Sequence, residues 1–162
     1  MKTFRISAVL AATLAFGSAF ADGITTDDFW LRASAPGAKM GAGFGVLNNA
    51  SDQTVHLTAV ESQVSPVELH TVTKVDGVMR MRPLENGIEI PANGSVTLKP
   101  GSYHLMFVGL REQLVKDESH TLVFSFDNGE RLSIDVPVRD ASAMNSGAMT
   151  HGDSQHDSMD KH

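Results

Sequence analysis

Cysteine is absent from the 162 residues, and its absence closes several routes at once. No disulfide can staple the fold, so an exported chain of this size relies on its own apolar core. There is no thiol for exchange chemistry or acylation, and any metal must be held without thiolate. Enzyme signatures are missing too: the sequence has no GxSxG elbow, phosphate-binding glycine loop or HExxH, and no evident pair of acting carboxylates. Positive charge is scarce, with 13 Lys and Arg against 19 Asp and Glu. Nothing resembles the basic footprint that phosphate binding requires, so no nucleic acid partner is expected. An acidic surface favours a basic partner instead, met weakly and in a salt-dependent way. The apolar run from Ile6 to Phe16 is too short to span a membrane.

What is present begins with that run. Lys2 and Arg5 precede it and Ala19-Phe20-Ala21 follows it, so residues 1–21 read as a targeting segment removed before Asp22. Cleavage would give a periplasmic protein with no stable membrane insertion and a formal charge moved from −6 to −8 by the loss of two cations. Residues 22–140 read as one domain. Residues 141–162 hold no Val, Ile, Leu or aromatic side chain, and cannot bury enough apolar area to offset the entropy of ordering them. That tail is expected to be disordered without metal.

Within the domain, short β-rich runs alternate with turn signals and no helical periodicity is sustained, which argues an antiparallel sandwich or small barrel. Strands are expected at Phe29 to Ala33, Met40 to Leu47, Val55 to Ser62, Val67 to Val75, Val78 to Arg82 and Ile88 to Pro91. Further strands follow at Ser95 to Leu98, Tyr103 to Val108, Thr121 to Phe126 and Arg131 to Val136, with one helical turn within Arg111 to Glu118. The glycines of Met40 to Leu47 either let another backbone come close or mark a twisted, bulged edge. His56 has no partner-type residue nearby and reads as a half-exposed strand residue. His120 reads as a surface histidine before a strand.

Four residues between Val67 and Leu110 carry the chemistry: His70, Met81, His104 and Met106. Imidazole and thioether together, with no carboxylate or thiolate, suit Cu(I) better than Mg, Ca or Mn. Asp76-Gly77 signals a two-residue hairpin turn. If the turn is tight, Val75 faces Val78 and Met81 faces Val72, so His70 is diagonal to Met81 on one face, roughly 7–8 Å away. His104 and Met106 are two apart in one strand and share a face, roughly 6.5–7 Å between Cα atoms. Each pair is a pincer, and the fold must bring the two together. Met79 shares the face of Met81 and is a candidate shield; Met40 is a weaker candidate of the same kind.

The run ELHTVTKVDGVMRMRPLENGIEIPANGSVTLKPGSYHLMFVGL resembles the core of the periplasmic copper chaperones of the PCuAC family, whose pattern is His-x10-Met-x21-His-x-Met. Here ten residues separate His70 from Met81 and twenty-two separate Met81 from His104, one more than the commonest form. The resemblance spans roughly Thr26 to Val138. It implies a cupredoxin-like Greek-key β-sandwich that binds Cu(I) through His70, Met81, His104 and Met106. It also implies delivery of copper to the binuclear copper centre of cytochrome c oxidase, directly or through an assembly factor, without catalysis. With no cysteine, such a fold cannot carry blue-copper electron transfer.

The tail adds Met144, Met149, His151, His156, Met159 and His162, a composition that binds metal. It is expected to collect Cu(II) through its imidazoles and raise copper concentration near the main site by tethering. Members of the resembled family carry similar extensions. Copper sequestration for resistance is the competing function.

Overall fold

A computed structural model describes residues 23–142. The expected targeting segment and the donors Met144, Met149, His151, His156, Met159 and His162 lie outside the described residues. Ten strands run in order: β1 (Ile24–Arg32), β2 (Met40–Asn49), β3 (Val55–Ser62), β4 (Val67–Val75) and β5 (Val78–Pro83), then β6 (Ile88–Ile90), β7 (Gly94–Leu98), β8 (His104–Val108), β9 (Ser119–Phe126) and β10 (Arg131–Arg139). The hydrogen-bonded path is β5-β4-β8-β2-β1-β10-β9-β3-β6, with β7 also on β2.

The class is all-β, and the path closes into a sandwich. Leu31, Leu47, Leu69, Leu105 and Phe107 from the β5-to-β1 half meet Leu57, Leu122, Phe124, Val136 and Val138 from the other half in one buried cluster. Phe29 and Phe124 lock the halves edge to face, with ring centroids 5.1 Å apart. The halves join where β1 runs parallel to β10, Leu31 beside Val138 and Arg32 beside Arg139, the one pairing on the path that departs from an antiparallel arrangement.

Period-2 alternation explains most of this. In β8, Leu105 and Phe107 are fully buried in the core, while His104 and Met106 turn to the other face. In β2, Gly41 and Gly43 face the core, where a Cβ would come within 3.0 Å of Leu114 and 3.1 Å of Leu31. These glycines make room for core side chains. The edge-strand reading fails, since β2 lies inside the sheet between β8 and β1.

Two local expectations are corrected and a third is extended. Arg111 to Glu118 contains no helical turn, because both backbone groups of Leu114 go to Ser34: the amide donates to Ser34 Oγ at 3.0 Å and the carbonyl accepts from Ser34 N–H at 3.0 Å. That bonding pins Leu114 into the core and leaves no local ladder. His120 lies within β9 and is half-buried, with its Nε2 enclosed and unpartnered. His56 is the half-exposed strand residue expected, and it has a partner 71 positions away: its backbone N–H donates to Asp127 Oδ1 and its Nδ1 lies 2.9 Å from Asp127 Oδ2.

The backbone N–H of His56 holds the Asp127 carboxyl below its usual value. A depressed carboxyl stabilises the fold above its unfolded pKa, and the contribution is lost as pH falls through the folded value. Asp127→Asn should therefore lower stability at neutral pH by less than about 1 kcal/mol, because the pair is exposed and screened. Urea titrations at pH 7 and near pH 3 check it: the gap between the two proteins should close in acid.

Candidate metal centre

The β4–β5 hairpin turns through Asp76 and Gly77 with φ of 51° and 81°, the doubly left-handed turn that matches strand twist. It sets Val75 opposite Val78, Val72 opposite Met81 and His70 opposite Pro83. On its other side β4 pairs with β8, where His70 lies opposite His104 and Glu68 opposite Met106. Next, β8 pairs with β2, placing Met106 opposite Ala42 and Val108 opposite Met40. Opposed residues share a face, so Met81, His70, His104, Met106, Ala42 and Met40 all stand on the outer face of one sheet.

The two pincers therefore meet through the pairing of His70 with His104, whose ring centroids are 5.8 Å apart. Met40, Phe44, Met81, His104 and Met106 line an open pocket of about 450 Å³, walled on one side by the loop that starts at Ala33. His70 stands beside it, with 12% of its side chain exposed. Met40 and Met81 are about half exposed. Met79, opposite Lys74 and further out along the hairpin, does not line the pocket.

Each imidazole has one nitrogen occupied. His104 is 4% exposed, and its Nδ1 lies 3.0 Å from the carbonyl oxygen of Ser102. That oxygen only accepts, so Nδ1 carries the proton and the Nε2 lone pair is free. His70 is the mirror case: Nε2 lies 2.8 Å from Glu68 Oε2, while Nδ1 is buried with no partner. With the proton on Nε2, the His70 Nδ1 lone pair is buried and unused. Burying a polar atom without a partner costs roughly 1–3 kcal/mol. An ion with affinity for nitrogen would recover that cost.

Beside His104, on the same outer face, stands an aromatic pair. Phe44 is 6.5 Å from the His104 ring and 5.1 Å from Trp30, centroid to centroid. Of the two, Phe44 lines the pocket and gives it an apolar wall. Among the described residues no three His, Asp or Glu side chains gather as a metal-holding group. Beside His70 and His104 the pocket offers the thioethers of Met40, Met81 and Met106, which favour a soft ion.

Sequence reasoning missed Glu68 and Ser102, which set the two tautomers. Glu68 was legible, two residues before His70 in a strand and thus on its face. The Ser102 carbonyl leaves no mark in sequence.

The family model described as "Putative lipoprotein LpqE-like" matches residues 24–138. A protein of Leifsonia xyli subsp. xyli described as "Putative lipoprotein Lxx21020" is 32% identical over 126 residues, covering 77% of this chain and 75% of that protein. Among solved structures, apo-DR1885 from Deinococcus radiodurans is 25% identical with a TM-score of 0.59, over 86% of this chain and 94% of that one. The copper-bound PCuAC domain from PmoF2 is 21% identical with a TM-score of 0.61, over 73% of this chain and 93% of that one. The chain thus belongs to the LpqE-like family, and its domain has the PCuAC fold.

Proposed function

We propose that the chain is an exported copper-binding protein. It holds Cu(I) through His70, Met81, His104 and Met106 and hands it to a copper-accepting protein, the binuclear copper centre of cytochrome c oxidase being the intended destination. One observation carries this reading: two imidazoles with fixed tautomers leave His70 Nδ1 and His104 Nε2 free beside the methionines of one open pocket. Solved neighbours named as a copper-bound PCuAC domain and as CuI-DR1885 support the choice of metal. The lipoprotein names of the family and of the Leifsonia protein support export. Within these 162 residues no cysteine offers a point of lipid attachment.

Thioethers bind without losing a proton, and neutral imidazole needs only a pH above its own pKa. Such a site keeps working in an oxidising compartment where thiolates would be lost. No ligand carries charge, which weakens the hold and helps release. Transfer is associative: an acceptor donor enters from the open side as His104 and Met106 let go.

Glu68 is a positioning residue in this scheme. Glu68→Ala should weaken Cu(I) binding by about 10–100-fold, the usual cost of losing a partner that orients a metal-binding histidine. Glu68→Gln, whose amide oxygen can still accept from Nε2–H, should recover part of it. Competition with a chromophoric Cu(I) chelator reads both, and thermal melting without metal should stay the same, because Glu68 is exposed.

The test of the function is X-ray absorption at the copper edge of residues 22–162 loaded with Cu(I), beside a variant with all four ligands changed to alanine. A mixed nitrogen and sulfur shell that disappears in the variant supports the reading. Nitrogen-only copper that is indifferent to the variant would move binding to the tail donors and favour sequestration, which the three histidines among residues 151–162 would serve.

A further inference from the structure

The protein is acidic, yet the pocket lies inside a cationic rim. Arg32 lines the pocket, Lys39 immediately precedes Met40, and Lys99 precedes Pro100-Gly101, both in the lining. Lys74 lies two residues beyond Val72 on the same face of β4, whereas Arg80 and Arg82, opposite Thr73 and Thr71, flank Met81 on the edge strand β5 but stand on the hairpin's other face. All six are exposed, and among the described residues none forms an ion pair. By contrast Lys116, Arg131 and Arg139, towards β9 and β10, are each paired with a carboxylate. Glu68, on the pocket's own face, is already committed to His70.

Inside the rim, Met40, Met79 and Met81 are exposed by 49%, 57% and 50%. An apolar, methionine-rich centre with a polar rim has the anatomy of a transient protein interface. We infer that this face docks an acidic copper-acceptor protein, one that presents Asp and Glu around its own copper-binding donors. The inference rests on the delivery reading and names its partner's chemistry. It departs from the expectation from composition, because the net charge counts carboxylates wherever they lie, including Glu61, Asp135 and Asp140 on the β3, β9 and β10 side. At physiological ionic strength the screening length is about 8 Å, so a docking partner feels the rim and not the distant acids.

Two synthetic acceptor peptides with the same Met and His donors test this, one flanked by Asp and Glu and the other by Lys. From the full chain loaded with one Cu(I), the acidic peptide should take copper at least about tenfold faster at low salt, and the gap should close as salt rises. Combining Lys39→Gln, Lys74→Gln and Lys99→Gln should remove the gap and leave Cu(I) affinity unchanged. Equal rates, or a faster Lys-flanked peptide, would overturn the inference, whether the rim is unused or covered by the chain's own Asp153, Asp157 and Asp160. A chain that binds no Cu(I) would sink the delivery reading instead. Docking is then read alone, from amide NMR shifts on adding the copper-free acidic peptide to the metal-free chain. Shifts at Lys39, Lys74, Lys99 and Met81 support it, and shifts on β9 and β10, or none, overturn it.

Discussion

His104→Ala should lower Cu(I) affinity by more than about a hundredfold, beyond the usual cost of losing an orienting partner. His104 is the joint of the site. It is the register partner of His70, it shares β8 with Met106, and it offers Nε2 to the pocket because Ser102 holds Nδ1. Its removal leaves His70 without the neighbour that makes a shared ion possible, and strips the cover from Phe44. The ring is buried, so alanine also leaves a void that costs stability. His104→Gln separates the two effects, since it fills most of the space without an imidazole. If both variants lose affinity while the glutamine variant melts near the parent temperature, the loss belongs to the ligand. Affinity within threefold of the parent in either variant would place the copper elsewhere. Combined with Met106→Ala, the change should also abolish transfer to an acceptor.

What the sequence disclosed about this site follows from locality. The β4–β5 register was legible because Asp76-Gly77 fixes a two-residue turn, and a turn fixes every pair behind it. The shared face of His104 and Met106 was legible from strand period alone. That His70 faces His104 was not, since the two are 34 positions apart and their pairing depends on how β8 enters the sheet beside β4. Met40 joined the pocket for the same reason, brought in by the pairing of β2 with β8. The contact of His56 with Asp127 spans 71 positions and has no local signature. Net charge says nothing of position, because a count carries none: Arg32 lines the pocket and Lys39, Lys74 and Lys99 adjoin it or share its face, which no total discloses.

The candidate metal face depends on the core beneath it, and one glycine exposes that dependence. Gly45→Ala should destabilise the metal-free domain by about 3 kcal/mol or more, the upper range for overpacking. A Cβ there would come within 2.4 Å of the Phe29 ring and 2.7 Å of the Phe29 Cα. The ring could shift only by leaving Phe124, and the Cα belongs to the paired strand β1. The same substitution at Gly77, with φ of +81° and nothing within 4 Å of the added atom, carries backbone strain alone and should cost about 1 kcal/mol. Gly45 also has a positive φ, +155°, so the difference reports the close approach together with that backbone's own strain. Because β2 also carries Met40, Ala42 and Phe44 on its outer side, forcing β1 and β2 apart should weaken Cu(I) binding as well, without touching a ligand. Excess Cu(I) should raise the melting temperature of the parent more than that of the Gly45→Ala variant, since a ligand stabilises in proportion to its affinity for the folded state. Urea denaturation of both glycine variants, with and without Cu(I), checks the chain of reasoning. Equal losses at the two glycines would mean that the fit of Phe29 against β2 does not hold the floor of the pocket.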